Sequence, residues 1–398
     1  MQYRLNTKKP HLLSLILLIS FPSVATVLIS PALPAIGDFF VVSNGKAQQL
    51  ITLFIIGYAI GQLIYSPFAN RYGRKIAVYL GIAVYILSCI VCLVGIYIHS
   101  FDVLLIGRFL MALGSAVGMI ISFTIINDFY FPEQARPVVS YTVLAYAFMP
   151  ALAVFLGGII TSHISWIACF YFYLIYGGII LLTSAPLPET LQRKSLDALQ
   201  LKPLLHSYSK AFKNLRLIIF SLIYGLMASF VYIVSSGAPF IAIDEIGLTP
   251  GVYGALLLIP YCGQLIGALT SGRISKHLSS YKVITIGYSS TILGTLFMFI
   301  CFVLGWINTF SLMAPIFFIM MGLPMVYSSV TVMALVGYED KATGSAVMSF
   351  TTMTVTFITT VILTLLPTRH ALVMPSLFVF VLILAVIVVW QAWIRFKD

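Results

Sequence analysis

Long stretches without a charged side chain dominate this sequence. One runs from Ile76 to Phe101, and another begins at Ala47 and continues until Arg71. About 20 consecutive apolar residues are enough for a helix to cross the hydrocarbon layer of a membrane. That layer contains no water, so a spanning segment must satisfy its own backbone N–H and C=O groups, as a helix does. The pattern therefore predicts an all-α polytopic membrane protein.

The composition excludes a soluble globular domain. Hydrophobic residues make up 61% of the 398 residues and charged residues only 8%, whereas soluble domains carry about 25% charged residues. The net charge of +11 does not indicate nucleic-acid binding, because the basic residues form short clusters between apolar stretches and not an extended basic face. The expected partners are the lipid bilayer and a small-molecule substrate, with no nucleic acid.

Twelve apolar stretches are long enough to be spanning helices. The first follows Arg4, Lys8 and Lys9 and has no cleavage site with small residues, so it is predicted to remain as the first span. Nearly all basic residues fall in alternate connecting segments, a bias that marks the cytoplasmic side. We therefore expect a multi-pass protein of the bacterial inner membrane with cytoplasmic N- and C-termini. The predicted spans are 12–33, 47–69, 76–98, 102–126, 138–160, 166–186, 217–241, 251–271, 283–305, 311–335, 342–366 and 371–393.

The longest polar stretch, Pro188 to Leu215, divides these spans six and six and is rich in basic residues. A short internal repeat supports the same division, since Gly61-Gln62-Leu63-Ile64 recurs as Gly263-Gln264-Leu265-Ile266. Parallel repeats of this kind build transporters with a cavity between two halves. The prediction is an N-terminal six-helix half at 1–187, a cytoplasmic linker at 188–216 and a C-terminal six-helix half at 217–398.

The sequence contains no motif for enzymatic chemistry. There is no Gly-rich loop ending in Gly-Lys-Ser/Thr, no His-Glu-x-x-His and no nucleophile elbow. The five cysteines lie inside apolar stretches and the six histidines near predicted span ends, so neither a disulfide framework nor a metal site is expected. We predict no enzymatic activity, no metal and no cofactor. A transporter without direct ATP hydrolysis is the remaining class.

Polar and aromatic residues inside the spans are candidates to line the central cavity. A spacing of three or four residues places two side chains on one helix face, and hydrogen bonds between helices are the alternative role for such residues. Arg108 is the only ionisable residue well inside a span, which is costly unless it faces a partner or a wet cavity, or lies close enough to the surface to snorkel. The candidate substrate-binding residues are Tyr58, Gln62, Arg108, Tyr232, Ser236, Tyr261, Gln264 and Tyr327.

Several motifs resemble those of one transporter family. The segment after the second span reads Ser66-Pro67-Phe68-Ala69-Asn70-Arg71-Tyr72-Gly73-Arg74-Lys75, which is similar to the signature loop of the major facilitator superfamily. Residues 108–118 resemble its second motif, residues 150–158 its antiporter motif, and Leu187-Pro188-Glu189-Thr190 the end of its sixth span. With Pro31-Ala32-Leu33-Pro34 in span 1, the chain is most similar to the Bcr/CflA-type drug:proton antiporters of bicyclomycin and chloramphenicol resistance. The resemblance is strong over residues 1–190 and architectural beyond.

The resemblance implies twelve transmembrane helices in two six-helix pseudo-repeat halves around a central cavity. In the family, the loop latches the two halves together in the outward-facing state, and an acid at the end of span 4 pairs with the loop arginines. We therefore expect Asp128 to pair with Arg71 or Arg74, with partners across a moving interface. Asn70 stands where the family has an acid facing the start of span 11. Loss of that charge, worth about 0.3–1 kcal/mol at a helix N-terminus, predicts a less favoured outward-facing state. The implied gating residues are Asn70, Arg71, Gly73, Arg74 and Asp128.

The acid that the resemblance implies for proton coupling is missing. Antiporters of this type carry it in span 1, four residues before the Pro-Ala-Leu-Pro stretch, and here that position is Val27. A desolvated carboxylate can titrate near neutral pH, whereas a valine cannot. The sequence thus predicts either a facilitator or coupling through the ionisation of the substrate itself.

Two functions remain open. The first is efflux of drug-like amphipathic small molecules by alternating access, carried out by a monomer. The alternative is transport of one defined hydrophilic substrate, such as a siderophore or metabolite, in either direction; Arg108 would then hold a carboxylate through a bidentate pair. A channel or lipid-handling scaffold is disfavoured by the repeated halves and the signature-like loop.

Overall fold

The computed structural model describes residues 9–192, 194, 199–338, 341–366 and 371–396, and these residues contain helices but no strand. Apolar helices follow one another along the chain, joined by short turns. The helices before the linker are α1 Leu12–Val27, α2 Leu33–Phe40, α3 Asn44–Tyr72, α4 Arg74–Tyr97, α5 Phe101–Ser115, α6 Val117–Phe129, α7 Pro132–His163 and α8 Ala168–Ser184. The linker and later helices are α9 Leu201–Phe212, α10 Leu215–Phe240, α11 Pro250–Leu256, α12 Leu258–Ile274, α13 Ser280–Val303, α14 Thr309–Leu335, α15 Lys341–Leu365 and α16 Val373–Phe396.

Each predicted span corresponds to a helical unit. Within the described residues, ten units are long and apolar enough to cross a membrane, and the shorter apolar helices Ala147–His163 and Ala168–Ser184 supply spans 5 and 6. Three spans consist of two α-helices in line, namely α1 with α2, α5 with α6, and α11 with α12. In a fourth span, α10 continues into a π-helical turn at Ile241–Glu245. The all-helical, multi-span fold class is therefore confirmed.

Span 1 is longer than predicted and is broken near its middle. α1 ends at Val27, a 3₁₀ turn covers Ser30–Ala32, and α2 continues to Phe40. Pro31 and Pro34 explain the break, because proline has no N–H with which to continue the helical hydrogen bonds. The predicted end at residue 33 is wrong for this reason: Pro34 lies in the first turn of α2, where a missing N–H is harmless.

The segment between spans 6 and 7 contains the helix α9, which was not predicted because the segment is polar. In α9, apolar side chains recur every three or four residues, and two of them dock on opposite groups of spans. The Tyr208 hydroxyl donates a hydrogen bond to the Leu63 carbonyl oxygen at 3.0 Å. The Phe212 ring packs edge-on against Phe350, with centroids 6.0 Å apart. The linker is therefore attached to both α3 and α15.

The helices form two groups of neighbours, α1–α8 and α10–α16, each packed mainly within itself. Small residues allow the backbones to approach closely. A Cβ atom added to Gly57 would lie 2.6 Å from the Phe109 carbonyl oxygen, and one added to Gly263 would lie 2.5 Å from that of Phe317. Below, "linker end" means the end of the bundle that carries the linker, and "distal end" means the opposite end.

Candidate functional site

The turn between α3 and α4 at the linker end is held by a distant carboxylate. Gly73 adopts a φ of 119°, a conformation that residues with a side chain rarely adopt. The first N–H groups of α4 have no partner within the helix. Both carboxylate oxygens of Glu189 accept such groups, from the Arg74 and Lys75 N–H at 3.0 Å each. Glu189 therefore fixes the start of α4.

Arg74 lies at the centre of a polar cluster in the same place. Its side chain is nearly buried, and Nε donates to an Asp128 carboxylate oxygen at 3.0 Å. Nη1 donates to the Ala69 carbonyl oxygen and to Asn70 Oδ1, both at 2.9 Å. The Thr190 hydroxyl donates to the same Asp128 oxygen at 2.9 Å. The cluster thereby connects spans 2, 3 and 4 with the segment that follows span 6.

The predicted gating residues fall into two groups. Asn70, Arg74 and Asp128 meet in this cluster, and Arg74 is the arginine that pairs with Asp128. The Nη1 atom of Arg71 is buried without a hydrogen-bond partner among the described residues. Because the partners of Arg74 all lie before the linker helix, the expectation that they lie across a moving interface is wrong for Arg74 in this structure. The expected cap at the start of span 11 falls on residues 339–340, outside the described residues.

Glu189 and Thr190 belong to this cluster, although neither was predicted as a gating residue. Arg74, the partner of Glu189, is 115 residues away in the chain, and no local pattern connects the two. The signal available was the Leu-Pro-Glu-Thr segment itself, which places an acid directly after span 6.

We expect Glu189→Ala to destabilise the protein by about 1–2 kcal/mol, the usual loss for a helix N-cap with a favourable dipole interaction. Glu189→Gln keeps an acceptor oxygen and is expected to lose less. Thermal unfolding of the purified protein in detergent measures both variants. Equal melting temperatures for Glu189→Ala and the wild type would contradict the capping role.

Arg108 on α5 is completely buried, with an exposed fraction of 0%. Its guanidinium group donates to three backbone carbonyl oxygens. Nη1 binds that of Ala25 at 2.8 Å, Nη2 that of Thr26 at 3.2 Å, and Nε that of Leu50 at 3.3 Å. The arginine therefore joins α5 to α1 and α3 through their main chains.

The break in span 1 creates the acceptors that Arg108 uses. Two of its three carbonyl partners belong to the last turn of α1, where carbonyls lack helical partners and a positive charge is favoured. The rings of Phe54 and Tyr173 lie 4.7 and 5.5 Å from the guanidinium carbon and add cation–π contacts. The planar fork is occupied by the fold, so in this structure it is not available to a substrate carboxylate. The snorkelling alternative is excluded by the complete burial.

The predicted substrate-binding residues of the last six spans lie on α10, α12 and α14. Tyr327 is half-buried and stacks on Tyr224, with ring centroids 4.3 Å apart and planes 13° from parallel. The Ser236 hydroxyl donates to the Tyr232 carbonyl oxygen within α10, at 2.8 Å. The structure thus pairs Tyr327 with a second tyrosine and turns the Ser236 hydroxyl towards its own helix.

The remaining candidates are buried or nearly so. The Tyr58 hydroxyl donates to the Met119 sulfur at 3.4 Å, and Gln62, one turn further along α3, is buried. On α12, Tyr261 is buried and Gln264 is half-buried. Gln264 Oε1 is buried and has no hydrogen-bond partner within the described residues.

The two groups of spans meet closely at the distal end. Glycines of α7 and α11 face each other: a Cβ added to Gly158 would lie 2.5 Å from the Pro250 carbonyl oxygen, and one added to Gly254 would lie 2.9 Å from that of Val154. The Gly251 N–H also donates to the Ser162 hydroxyl at 2.7 Å. Glycine at positions 158 and 254 lets the backbones of α7 and α11 touch.

Span 1 takes part in the same closure. The Ser30 hydroxyl, in the 3₁₀ turn, donates to the Ser235 carbonyl oxygen on α10 at 2.5 Å. Beside it, Gly45 at the start of α3 lies directly against the Thr364 carbonyl group of α15. Spans 1, 2 and 5 thus contact spans 7, 8 and 11, and the distal end is closed.

Two groups of apolar spans that close against each other at one end and are joined by a linker at the other form a polytopic membrane transporter. The chain belongs to the Major Facilitator Superfamily, whose family model matches residues 13–360. It is thus a member of a transporter family and not an enzyme.

Curated relatives cover most of the chain. An uncharacterized transporter of Rickettsia felis is 28% identical, covering 86% of this chain and 85% of its own. Multidrug resistance protein D of Escherichia coli is 27% identical over 80% of this chain and 79% of its own. Chloramphenicol resistance protein CraA of Acinetobacter baumannii is 24% identical over 68% and 65%. The resemblance to drug-resistance transporters of this superfamily is confirmed.

The crystal structure of a D-xylose-proton symporter has the same fold. It matches with a TM-score of 0.75 at 14% identity and covers 94% of this chain and 96% of its own. At this identity the match establishes the fold alone.

Proposed function

We propose that this protein is an inner-membrane secondary transporter that exports drug-like amphipathic small molecules by alternating access. The observation that carries the proposal is the backbone contact between Gly158 of α7 and Gly254 of α11, which joins the two groups of spans at the distal end. A contact made by bare backbone can separate without breaking salt bridges, as a reversible gate requires. The relatives with drug-resistance names, in Escherichia coli and Acinetobacter baumannii, support efflux as the direction.

The distribution of charge supports an assignment of the two ends. The linker end carries the basic turn with Arg71, Arg74 and Lys75, and basic residues mark the cytoplasmic side. The distal end is then periplasmic, and the contacts between the two groups at that end support an inward-facing assignment.

For the substrate we propose a binding region lined by aromatic and weakly polar side chains. The Tyr224–Tyr327 stack offers a flat apolar surface, and the unpaired oxygen of Gln264 offers one acceptor. Ring faces and single polar contacts suit neutral or weakly polar amphipathic compounds. In this proposal, Arg108 is a positioning residue that holds the span 1 break beside the region, and it does not bind the substrate.

The test is transport into proteoliposomes of labelled chloramphenicol, with a Tyr327→Ala variant and a matched Tyr171→Ala control. Tyr171 is an exposed residue of α8. Saturable chloramphenicol transport that is lost in Tyr327→Ala and kept in Tyr171→Ala would support the proposal. Absence of transport for chloramphenicol and other amphipathic drugs would contradict it.

A hydrophilic substrate is the second candidate function. One solved structure with the same fold is that of a D-xylose-proton symporter, so D-xylose serves as the hydrophilic probe. Labelled D-xylose in the same proteoliposomes distinguishes the two: saturable xylose transport without chloramphenicol transport would favour the second candidate.

We expect transport without a titrating acid at position 27 of span 1. Val27 is almost completely buried beside the break, at the position where the resemblance to drug:proton antiporters implies a carboxylate. Addition of a neutral substrate to purified protein in weak buffer should therefore release no protons, as followed with a pH-sensitive dye. Stoichiometric proton release would contradict this prediction and would indicate a coupling acid elsewhere.

We also expect the linker and both termini to be cytoplasmic. Alkaline phosphatase acquires its disulfides and activity only in the periplasm, so fusions at Lys202 and after the last span should be inactive. A fusion after Gly305, between spans 9 and 10, serves as the positive control. Active fusions at Lys202 would overturn the assignment of the two ends.

A further inference from the structure

A pocket opens at the distal end between the two groups of spans. Its volume is about 350 Å³, within the range of small-molecule sites. α3 contributes one wall, and α10, α15 and α16 with their adjoining turns contribute the others. Its lining residues include Asn44, Gln48, Phe240, Asp244, Glu245 and Met374.

The charged side chains among the described lining residues of this pocket are all acidic. Asp244 and Glu245 line it at the end of span 7, and no basic side chain is among its described lining residues. The aromatic ring of Phe240 and the thioether of Met374 form part of the apolar wall. Carboxylates beside an aromatic ring attract a cation that also has an apolar body.

Gln48 provides a second, independent indication of a ligand. Its side chain lines the pocket, is only 2% exposed, and its Oε1 atom has no hydrogen-bond partner within the described residues. Buried polar atoms in folded proteins are nearly always hydrogen-bonded. An acceptor left free at the pocket wall therefore suits a ligand that carries N–H donors.

We propose that this distal pocket binds a small organic ammonium ion with an apolar body. The carboxylates of Asp244 and Glu245 attract the charge, Gln48 Oε1 accepts an N–H, and Phe240 and Met374 contact the apolar part. Asn44 and Gln48 belong to span 2 and the carboxylates to span 7, so the ligand bridges the two groups of spans. Bound from the periplasm, it holds the distal end closed and slows the return to the outward-facing state.

The first test is calorimetric titration of the full-length protein in detergent with 2-phenylethylammonium. Its opposite-charge counterpart, 3-phenylpropanoate, is the control ligand. We expect the ammonium ion to bind and the carboxylate not to bind. The double variant Asp244→Asn/Glu245→Gln should raise the Kd about tenfold, because two partly exposed ion pairs are lost. Gln48→Leu should also raise it.

Asp102→Asn is the matched control, because Asp102 is another exposed carboxylate at the distal end that does not line the pocket. Each variant is first checked for a wild-type melting temperature without ligand; if Gln48→Leu fails to fold, the double variant alone decides. Equal affinity for the two ligands, or an unchanged Kd in the double variant, would overturn the proposal.

The second test addresses the bridge. Spin labels on the distal ends of α3 and α15 report the separation of the two groups, and 2-phenylethylammonium should shift the distances towards the closed state. Binding without that shift would overturn the bridging role. Because both measurements are made without transport, they remain informative even if the exported substrate proves to be of another class.

Discussion

Gly158→Val is expected to abolish transport while leaving the amount of protein in the membrane near that of the wild type. A Cβ at position 158 would lie 2.5 Å from the Pro250 carbonyl oxygen and 3.2 Å from the Gly254 Cα. Both neighbours are backbone atoms, which cannot move aside as a flexible side chain would. The distal end then stays open and the cycle stops there. Proteoliposome assays measure the loss of transport, and spin-label distances between α7 and α11 measure whether the distal end stays open.

Gly178→Val is the matched control. Gly178 also lies in an apolar helix, α8, but a Cβ there would meet no atom within 4 Å. This variant should transport normally and close normally. Normal transport by Gly158→Val would contradict the role of the glycine contact as a gate.

Arg108→Leu is expected to cost about 3 kcal/mol or more of unfolding free energy. The substitution leaves the two buried carbonyl oxygens in the last turn of α1 without a donor, and each unsatisfied group costs about 1–3 kcal/mol. Arg108→Lys keeps the charge but loses the planar fork that reaches three acceptors on two helices. It should be destabilised less, and its transport should fall sharply because the span 1 break is no longer held.

The measurements are thermal unfolding in detergent and transport by the reconstituted variants. Arg395→Lys, an exchange at an exposed arginine in the last turn of α16, is the control and should change neither. Wild-type stability together with wild-type transport in Arg108→Lys would contradict the positioning role. Wild-type stability with a loss confined to anionic substrates would instead restore the earlier interpretation of Arg108 as a carboxylate-binding fork.

The spans could be predicted because their cause is local: an apolar stretch of sufficient length must become a helix in lipid. The end of span 1 was misplaced because proline is compatible both with a stop and with the first turn of a new helix, as at Pro34. The linker helix α9 was missed because its polar composition outweighed the spacing of Tyr208 and Phe212. The sequence of a segment with both polar and apolar residues does not show which helices it will pack against.

The site was less accessible to prediction, because its contacts connect distant residues. The Asp128–Arg74 pair came from a family resemblance, and it is present at 3.0 Å. The partners of Arg108 are main-chain carbonyls, which any sequence supplies, so no side-chain pattern announces them. Glu189 was missed for a related reason, since its acceptor role depends on which helix end lies beside it.

The cap of α4 also sets an order of events during synthesis. Glu189 is translated 115 residues after Arg74, which at about 5–20 residues per second is a delay of roughly 6–23 seconds. Until then the third span has no carboxylate at its start, and Thr190, translated next, is not yet there to bind Asp128. The basic turn is therefore completed only when the sixth span has emerged. The first six spans would thus reach their final arrangement together, before the seventh span enters the membrane.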